Sequence, residues 1–309
     1  MVKVGVIGVG YLGQHHARVL SELSGETGAC RLAAVADADR ARAEEIAARY
    51  GCRAVGDYRE MLDQVDAVSI VTPTTTHYDV ALRCIRAGKD VLVEKPITAT
   101  IEEADALIRA SEAAGVLVQV GHLERFNPVV GALAPFLDSP TLIEAERLSP
   151  FQGRGIDVDI TLDLMIHDID VIHSLVAGSP VRDSKATGSR VLTPTIDMAK
   201  AWLEFDNGVH AVLSASRIAL EKRRRLTIFQ KESYVVMDYQ EMEITRFFRD
   251  NGRIASDTVK VERKEPLKEE LRDFLSCIDT RSTPRVCALK GRTALTIALQ
   301  IGERIKQEW

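Results

Sequence analysis

The chain has 309 residues and a mass of 34.1 kDa, which is enough for about two domains and excludes a small disulfide-stapled protein. Apolar residues make up 46% and charged residues 28% of it, a composition that excludes disordered, collagenous and coiled-coil chains. The net charge of −5 provides no general attraction to nucleic acid or to an anionic membrane. We therefore expect a small-molecule ligand, with any phosphate held by a local site.

The five cysteines form no Cys-x-x-Cys pair and no cluster with histidine at zinc-finger spacing. We therefore predict that all five are reduced and that there is no metal site. Glycines and polar residues interrupt the N-terminal apolar run, which is not typical of a signal peptide. No segment reaches the roughly 18 apolar residues of a membrane helix, so we expect a cytoplasmic protein.

In residues 1–121, short apolar runs alternate with helical stretches. The predicted strands are Val2–Ile7, Arg31–Ala36, Ala67–Val71, Asp90–Val93 and Val116–Val120. The predicted helices are Tyr11–Leu23, Arg40–Tyr50, Thr76–Ala87 and Ile101–Ala114. This alternation predicts βαβ units and an α/β domain with a doubly wound parallel sheet, the Rossmann pattern.

After residue 121 the pattern changes to consecutive strands with tight turns. The predicted strands are Thr141–Leu148, Ala199–Phe205, Val209–Ile218, Arg224–Phe229 and Tyr234–Met237. The predicted helices are Val129–Leu137, Leu162 to about Val176, Pro266–Ile278 and Gly291–Gln307. The turn at Asn207–Gly208 favours a hairpin. We predict an α+β domain at 122–309 with an open, mainly antiparallel sheet.

A glycine turn, Gly8-Val9-Gly10-Tyr11-Leu12-Gly13, follows the first strand and opens the first helix. Such a turn lets backbone N–H groups approach a pyrophosphate at the positive end of a helix. Asp37 ends the second strand, where a carboxylate accepts hydrogen bonds from a ribose diol. Together they predict NAD as cofactor, with NADP as the alternative because Arg40 stands close by in the sequence.

Two further segments follow predicted strands and should lie at the same edge of the sheet. The first runs from Thr72 and Pro73 to His77, and we leave two interpretations open: a strand-to-helix cap, or a lining of the nicotinamide site. The second is Glu94-Lys95-Pro96, a charged pair before a proline. Taken alone it is typical of solvated turns, but its predicted place beside the nicotinamide makes Glu94 and Lys95 candidate cofactor contacts.

Asp163 and His167 lie four residues apart in a predicted helix and therefore share one face, which Asp170 continues. A surface ion pair is the simplest interpretation of such spacing. One histidine with carboxylates is a poor first-row metal site.

These motifs, in this order, resemble the Gfo/Idh/MocA family of sugar and cyclitol oxidoreductases. The resemblance covers nearly the whole chain. It implies an N-terminal NAD(P) domain, a C-terminal domain with an open sheet, and dimers or tetramers formed through that sheet. It also implies a lysine, an aspartate and a histidine acting at the substrate, which correspond here to Lys95, Asp163 and His167.

The chemistry of alcohol oxidation is consistent with these roles. The hydroxyl proton must leave as hydride departs, and histidine suits that task near neutral pH. We expect His167 to be the general base, Asp163 to orient it, and Lys95 to stabilise charge on the reacting oxygen. This requires His167, in the second domain, to meet Lys95 across a cleft.

The substrate is predicted mainly from resemblance. The stretches 121–128 and 162–170 are similar to family members that oxidise the 3-hydroxyl of UDP-N-acetylglucosamine for amino-sugar synthesis. Arg125, Asn127 and Arg154 are accordingly predicted at the substrate, and Arg217 is a further candidate for a diphosphate. We predict no ligand for Lys222–Arg225, because consecutive residues of a strand alternate between the two faces of the sheet. The alternatives are a free sugar or cyclitol dehydrogenase and a non-catalytic dinucleotide-sensing regulator.

Overall fold

The computed structural model describes residues 1–153 and 158–307, which divide into two compact units. Unit 1 comprises Met1–Leu123 and Glu265–Arg292, and unit 2 comprises Glu124–Lys264 and Thr293–Trp309. No helix among the described residues is both long enough and apolar enough to cross a membrane.

Unit 1 contains a six-stranded parallel sheet, sheet A, in the order β3-β2-β1-β4-β5-β6. This is the Rossmann order, and it confirms the predicted fold class of the first half. The strands are β1 Val2–Ile7, β2 Cys30–Ala36, β3 Arg53–Val55, β4 Ala67–Ile70, β5 Asp90–Glu94 and β6 Val118–Gly121. The helices between them are α1 Gly13–Thr27, α2 Arg40–Tyr50, α3 Thr74–Arg86 and α4 Ile101–Ala114.

Unit 1 also includes the helix α7, Pro266–Thr280. The change of pattern after residue 121 predicts one domain at 122–309, whereas the structure assigns Glu265–Arg292 to unit 1. The reason is the apolar face of α7: Leu271 and Phe274 are fully buried in the same core as Leu20 and Leu23 of α1. Burial of that face against α1 places α7 in unit 1.

Unit 2 contains an eight-stranded sheet, sheet B, in the order β14-β13-β12-β11-β7-β10-β9-β8. Its neighbouring strands pair antiparallel except for β7 and β10, so the predicted mainly antiparallel sheet is confirmed. The strands are β7 Leu142–Leu148, β8 Val181–Ser189, β9 Met198–Phe205, β10 His210–Ser216, β11 Arg223–Phe229, β12 Ser233–Asp238, β13 Glu243–Asp250 and β14 Arg253–Lys260.

One face of sheet B is buried under helices. The α6 helix, Ile166–Leu175, and the C-terminal part of α8, Ala288–Gln307, contribute apolar side chains to its core. The predicted helix Val129–Leu137 is replaced by the short helix α5, Pro128–Gly131, and a 3-10 turn at Ala134–Phe136. Pro135 lies within that turn and has no N–H for a continuous helix.

Candidate functional site

The carboxyl ends of the sheet A strands border a cavity of about 550 Å³ in unit 1. Five predicted cofactor residues line it: Gly8, Gly10, Asp37, Thr72 and Pro73. Open α/β sheets bind ligands at this edge, where the strand order reverses.

Packing explains two of the three glycines of the glycine turn. A Cβ on Gly8 would lie 2.6 Å from the Val71 carbonyl oxygen, and one on Gly13 would lie 1.8 Å from the Gly8 carbonyl oxygen. A Cβ on Gly10 would instead face open space, and the N-cap residue of α1, Leu12, provides no side-chain cap. Uncapped N–H groups beside open space fit a pyrophosphate. Tyr11 and Leu12 are exposed.

Asp37 connects the end of β2 to the glycine turn. Its Oδ2 accepts a hydrogen bond from the Val9 N–H at 2.8 Å, and its Oδ1 accepts one from the Asp39 N–H at 2.9 Å. The side chain of Arg40 is 80% exposed and pairs with Glu44 at 2.9 Å. A fixed carboxylate beside the cavity fits an adenosine ribose and repels a 2′-phosphate.

The polar or charged side chains of Asp57, Tyr58 and Arg59 also line the cavity, although the sequence patterns do not predict them there. They follow β3, whose three residues Arg53–Val55 are too few to produce a recognisable apolar run. The sequence feature that could have indicated this segment is Asp57, a residue type common at helix starts. Its side chain accepts the Arg59 N–H at the start of the 3-10 segment Tyr58–Gln64. The Arg59 guanidinium lowers the pKa of Asp57 to about 2.

His77 is buried and lies between two loops of unit 1. Its Nε2 is 2.9 Å from the Thr72 carbonyl oxygen and its Nδ1 is 2.9 Å from the Pro96 carbonyl oxygen. The Lys95–Pro96 peptide bond is cis. His77 therefore connects the loop that lines the cavity to the loop that follows Lys95.

Glu94, at the end of β5, is held by α1. Its Oε1 lies 3.2 Å from His16 Nε2, and the other ring nitrogen of His16 is 2.8 Å from the Ser69 hydroxyl. Burial opposes ionisation of Glu94, but the His16 imidazole and the Lys95 ammonium hold its pKa below the usual value. The Glu94 carboxylate also accepts the Lys95 N–H at 3.3 Å, which positions the backbone of Lys95.

In unit 2, the segment that carries Asp163 and His167 begins with a π-helical turn, Thr161–Met165, which continues directly into α6. The Ile166 N–H donates to the Thr161 carbonyl, five residues back. Single π turns of this kind are frequent at functional sites. Asp163 lies within the turn and His167 in the first turn of α6, and both are half-buried.

A buried cluster of charges supports this segment. Arg147 of β7 donates to both oxygens of Asp168, at 2.9 and 2.8 Å, and to Glu124 at 2.8 Å. The Asn127 amide donates to Glu124 at 3.0 Å, and its oxygen accepts the Val129 N–H. These contacts give Asn127 a structural function at the start of α5.

Arg125 lies 3.4 Å from the buried carboxylate of Asp170 on α6. A second cavity, of about 380 Å³, lies wholly within unit 2 and is lined by Asp163, Arg217, Lys222 and Arg224, among others. Arg154 lies outside the described residues.

Both units of the chain have matches among known protein families. Residues 2–122 match a family model described as an oxidoreductase family with an NAD-binding Rossmann fold, and residues 143–236 match the GFO/IDH/MocA C-terminal domain. UDP-N-acetylglucosamine 3-dehydrogenase from Acidithiobacillus ferrooxidans is 38% identical over 97% of this chain and 96% of its own. The scyllo-inositol 2-dehydrogenase (NAD(+)) of Bacillus subtilis is 32% identical over 70% of this chain and 67% of its own.

A solved structure of the Acidithiobacillus ferrooxidans enzyme has a TM-score of 0.92 and 37% identity, covering 99% of this chain and 98% of that one. These similarities extend over nearly the full length of the chain. They agree with the Rossmann order of sheet A, with the glycine turn and Asp37, and with the open sheet B. The chain belongs to the Gfo/Idh/MocA family of oxidoreductases, and its N-terminal part is the NAD-binding Rossmann domain of that family.

Proposed function

We propose that this protein is an NAD-dependent dehydrogenase that oxidises the 3-hydroxyl of UDP-N-acetylglucosamine to a 3-keto sugar. The observation that carries the proposal is the 38% identity with an enzyme of that activity over 97% of the chain. The matched region extends over both units, so the similarity is not confined to the dinucleotide-binding part.

The proposed catalytic residues are Lys95, Asp163 and His167. His167 takes the hydroxyl proton as general base, and Asp163, on the same stretch of helix, orients the imidazole and stabilises its charged form. Lys95 donates to the reacting oxygen as negative charge develops there. NAD, when bound, accepts the hydride. The proposal requires Lys95 and His167 to act on the same hydroxyl group.

For the cofactor, we propose that Asp37 selects NAD over NADP. Its carboxylate is fixed by the Val9 and Asp39 N–H groups, which supports a contact with the ribose diol. Arg40, three residues after Asp37, pairs with Glu44, so we do not propose that it binds the 2′-phosphate of NADP. Gly8, Gly10 and Gly13 are proposed to form the pyrophosphate site, with Tyr11 and Leu12 beside it.

A second candidate function is oxidation of a free cyclitol, because inositol dehydrogenases are also relatives of this chain. The two candidates differ in whether the substrate carries a nucleoside diphosphate. We propose Arg125 and Arg154 as further substrate contacts. Asn127 would affect the substrate site indirectly, through the start of α5 that it caps.

NADH formation distinguishes the candidates directly. Purified protein is incubated with NAD and either UDP-N-acetylglucosamine, N-acetylglucosamine or myo-inositol, with a carbonyl trap to draw off the keto product. The proposal predicts NADH with the nucleotide sugar and much less with inositol. The reverse preference would establish the cyclitol alternative. NAD binding without turnover of any polyol would instead favour a dinucleotide sensor.

We also propose that the protein forms a homodimer or homotetramer through the open face of sheet B. Phe229, Tyr234 and Phe247 stack in a row across three strands, with ring centroids 5.7 and 4.7 Å apart. On the same face Trp202 is 43% exposed. Tyr234 is exposed and the two phenylalanines are half-buried, and a contiguous, partly exposed apolar row supports an interaction surface. Sedimentation of the wild type and of Tyr234→Glu tests it, and a monomeric wild type would contradict it.

A further inference from the structure

Four consecutive cations, Lys222–Arg225, precede and begin β11. The alternation of the strand separates them into two pairs. Arg223 and Arg225 lie on the open face of sheet B, where they approach Glu146 at 3.4 Å and Asp238 at 3.5 Å. Lys222 and Arg224 line the cavity of unit 2 that also contains Asp163.

The two cavity cations differ in their carboxylate contacts, and neither is closely paired. Arg224 lies 3.8 Å from Glu124, but Arg147 holds that carboxylate more closely, at 2.8 Å. Within residues 1–153 and 158–307, no carboxylate oxygen approaches the Lys222 ammonium within ion-pair distance. The Lys222 ammonium is therefore free of carboxylates among these residues, and the Arg224 guanidinium is paired only weakly, through a carboxylate that it shares with Arg147.

The environment of Arg224 makes that charge costly in the absence of an anion. Burial lowers the pKa of the Arg224 guanidinium, and the positive charge of Arg147 lowers it further. A bound anion would offset both effects. Arg217 also lines the cavity, but its guanidinium donates to the Val158 carbonyl at 2.7 Å, so it is better placed to support the wall.

We propose that this cavity is the diphosphate subsite for a nucleotide-sugar substrate, with Lys222 and Arg224 contacting the phosphate oxygens and the sugar extending towards Asp163. A guanidinium presents paired donors that match phosphate oxygens, and an ammonium adds a point charge. The volume of about 380 Å³ is within the range of small-molecule pockets. This inference rests on the proposed function, and it specifies which residues would recognise a nucleotide sugar rather than a free one.

Binding of UDP, measured by calorimetry, tests the subsite without turnover. The variants are Lys222→Ala and Arg224→Gln, and the matched controls are Arg223→Ala and Arg225→Ala, which remove cations of the same run from the opposite face. We expect each cavity variant to weaken UDP binding about tenfold or more, the scale of one charged hydrogen bond. The controls should change it less than threefold. Lys222→Glu, at an exposed position, provides the same test if Arg224→Gln folds poorly.

Steady-state kinetics gives a second measurement. Lys222→Ala should raise KM for UDP-N-acetylglucosamine about tenfold while leaving any turnover of N-acetylglucosamine, which lacks the diphosphate, unchanged. Equal losses with both sugars, or equal weakening of UDP binding by cavity and control variants, would overturn the subsite. No UDP binding by the wild type would overturn it as well.

The two proposals fail in different ways. If the wild type binds UDP through Lys222 and Arg224 but forms no NADH from UDP-N-acetylglucosamine, the proposed reaction is wrong and the subsite stands. If NADH forms but neither Lys222→Ala nor Arg224→Gln weakens UDP binding, the proposed reaction is supported and the proposed subsite is wrong.

Discussion

Glu94, half-buried at the end of β5, raises the pKa of Glu270, which is fully buried on α7 in the same unit, whereas the pKa of Glu94 itself is lowered. Glu94 lies 3.2 Å from His16. Glu270 is fully buried on α7, and neither of its oxygens has a hydrogen-bond partner among the described residues. Burial raises the pKa of Glu270 well above its usual value, and the negative charge of Glu94 raises it further.

Glu94→Gln should destabilise the protein at neutral pH by about 1–3 kcal/mol, because it removes the charged partner of His16. A lowered pKa means that the native state binds fewer protons than the unfolded state. The contribution of Glu94 is therefore fully present above the ordinary glutamate pKa and is lost as the pH falls through the lower native pKa. Urea unfolding of both proteins over a pH series checks this. A difference that does not shrink in acid would contradict it.

Glu270→Gln should have the opposite effect and stabilise the protein at neutral pH by about 1 kcal/mol or more. A raised pKa means that the native state keeps a proton that the unfolded state has released, so wild-type stability falls as the pH rises above the ordinary glutamate pKa. The gain in Tm should be largest at neutral pH and vanish in acid. Glu112→Gln, at an exposed position of α4, is the matched control and should show neither effect.

Asp37→Asn should raise KM for NAD about tenfold and lower KM for NADP, because it removes the charge that repels a 2′-phosphate. The amide oxygen can still accept the Val9 N–H, so the glycine turn should keep its position. Initial rates with both cofactors provide the measurement. Arg40→Ala is the control and should leave the NADP values unchanged. An unaltered cofactor preference in Asp37→Asn would remove Asp37 from this role.

His167→Ala should lower kcat about 100-fold or more, the usual scale of acid–base catalysis. The comparison variant is His173→Ala, which changes the other histidine of α6 and should keep kcat within about twofold of the wild type, a change small against that scale. Rates are measured over a pH series with saturating NAD. If His167→Ala kept the wild-type rate and pH optimum, His167 would not be the general base.

The parallel sheet and its ligand-binding edge could be predicted from sequence because both depend on local patterns. Runs of buried residues mark β1, β4 and β5, and the residues that follow parallel strands must meet at one edge. β3 escaped prediction because three residues carry no periodicity. The structure contains the helix that the sequence predicts from Leu162. Its first turn is π-helical, which the sequence does not predict, because apolar periodicity does not show where the hydrogen bonds change from i→i−4 to i→i−5.

Other features depended on partners that are distant in the chain. The apolar stripe of α7 indicated that the helix is buried, but not that α1 lies beneath it. Arg147 showed no sign of a buried role, because Asp168 and Glu124 lie more than 20 residues away on either side. In the sequence, Lys222–Arg225 is typical of a solvated charged run, and only the placement of β11 separates two cations facing a cavity from two facing outward.

The sequence by itself determined the Rossmann fold, the position of the glycine turn and the carboxylate at Asp37, because periodicity and chain order are sufficient for these. Only the tertiary structure decided that α7 joins unit 1, that Glu270 is buried beside Glu94, and that Lys222 and Arg224 share a cavity with Asp163. The physical reason is that burial and charge pairing are set by whichever groups the folded chain brings together, and sequence separation does not specify those groups.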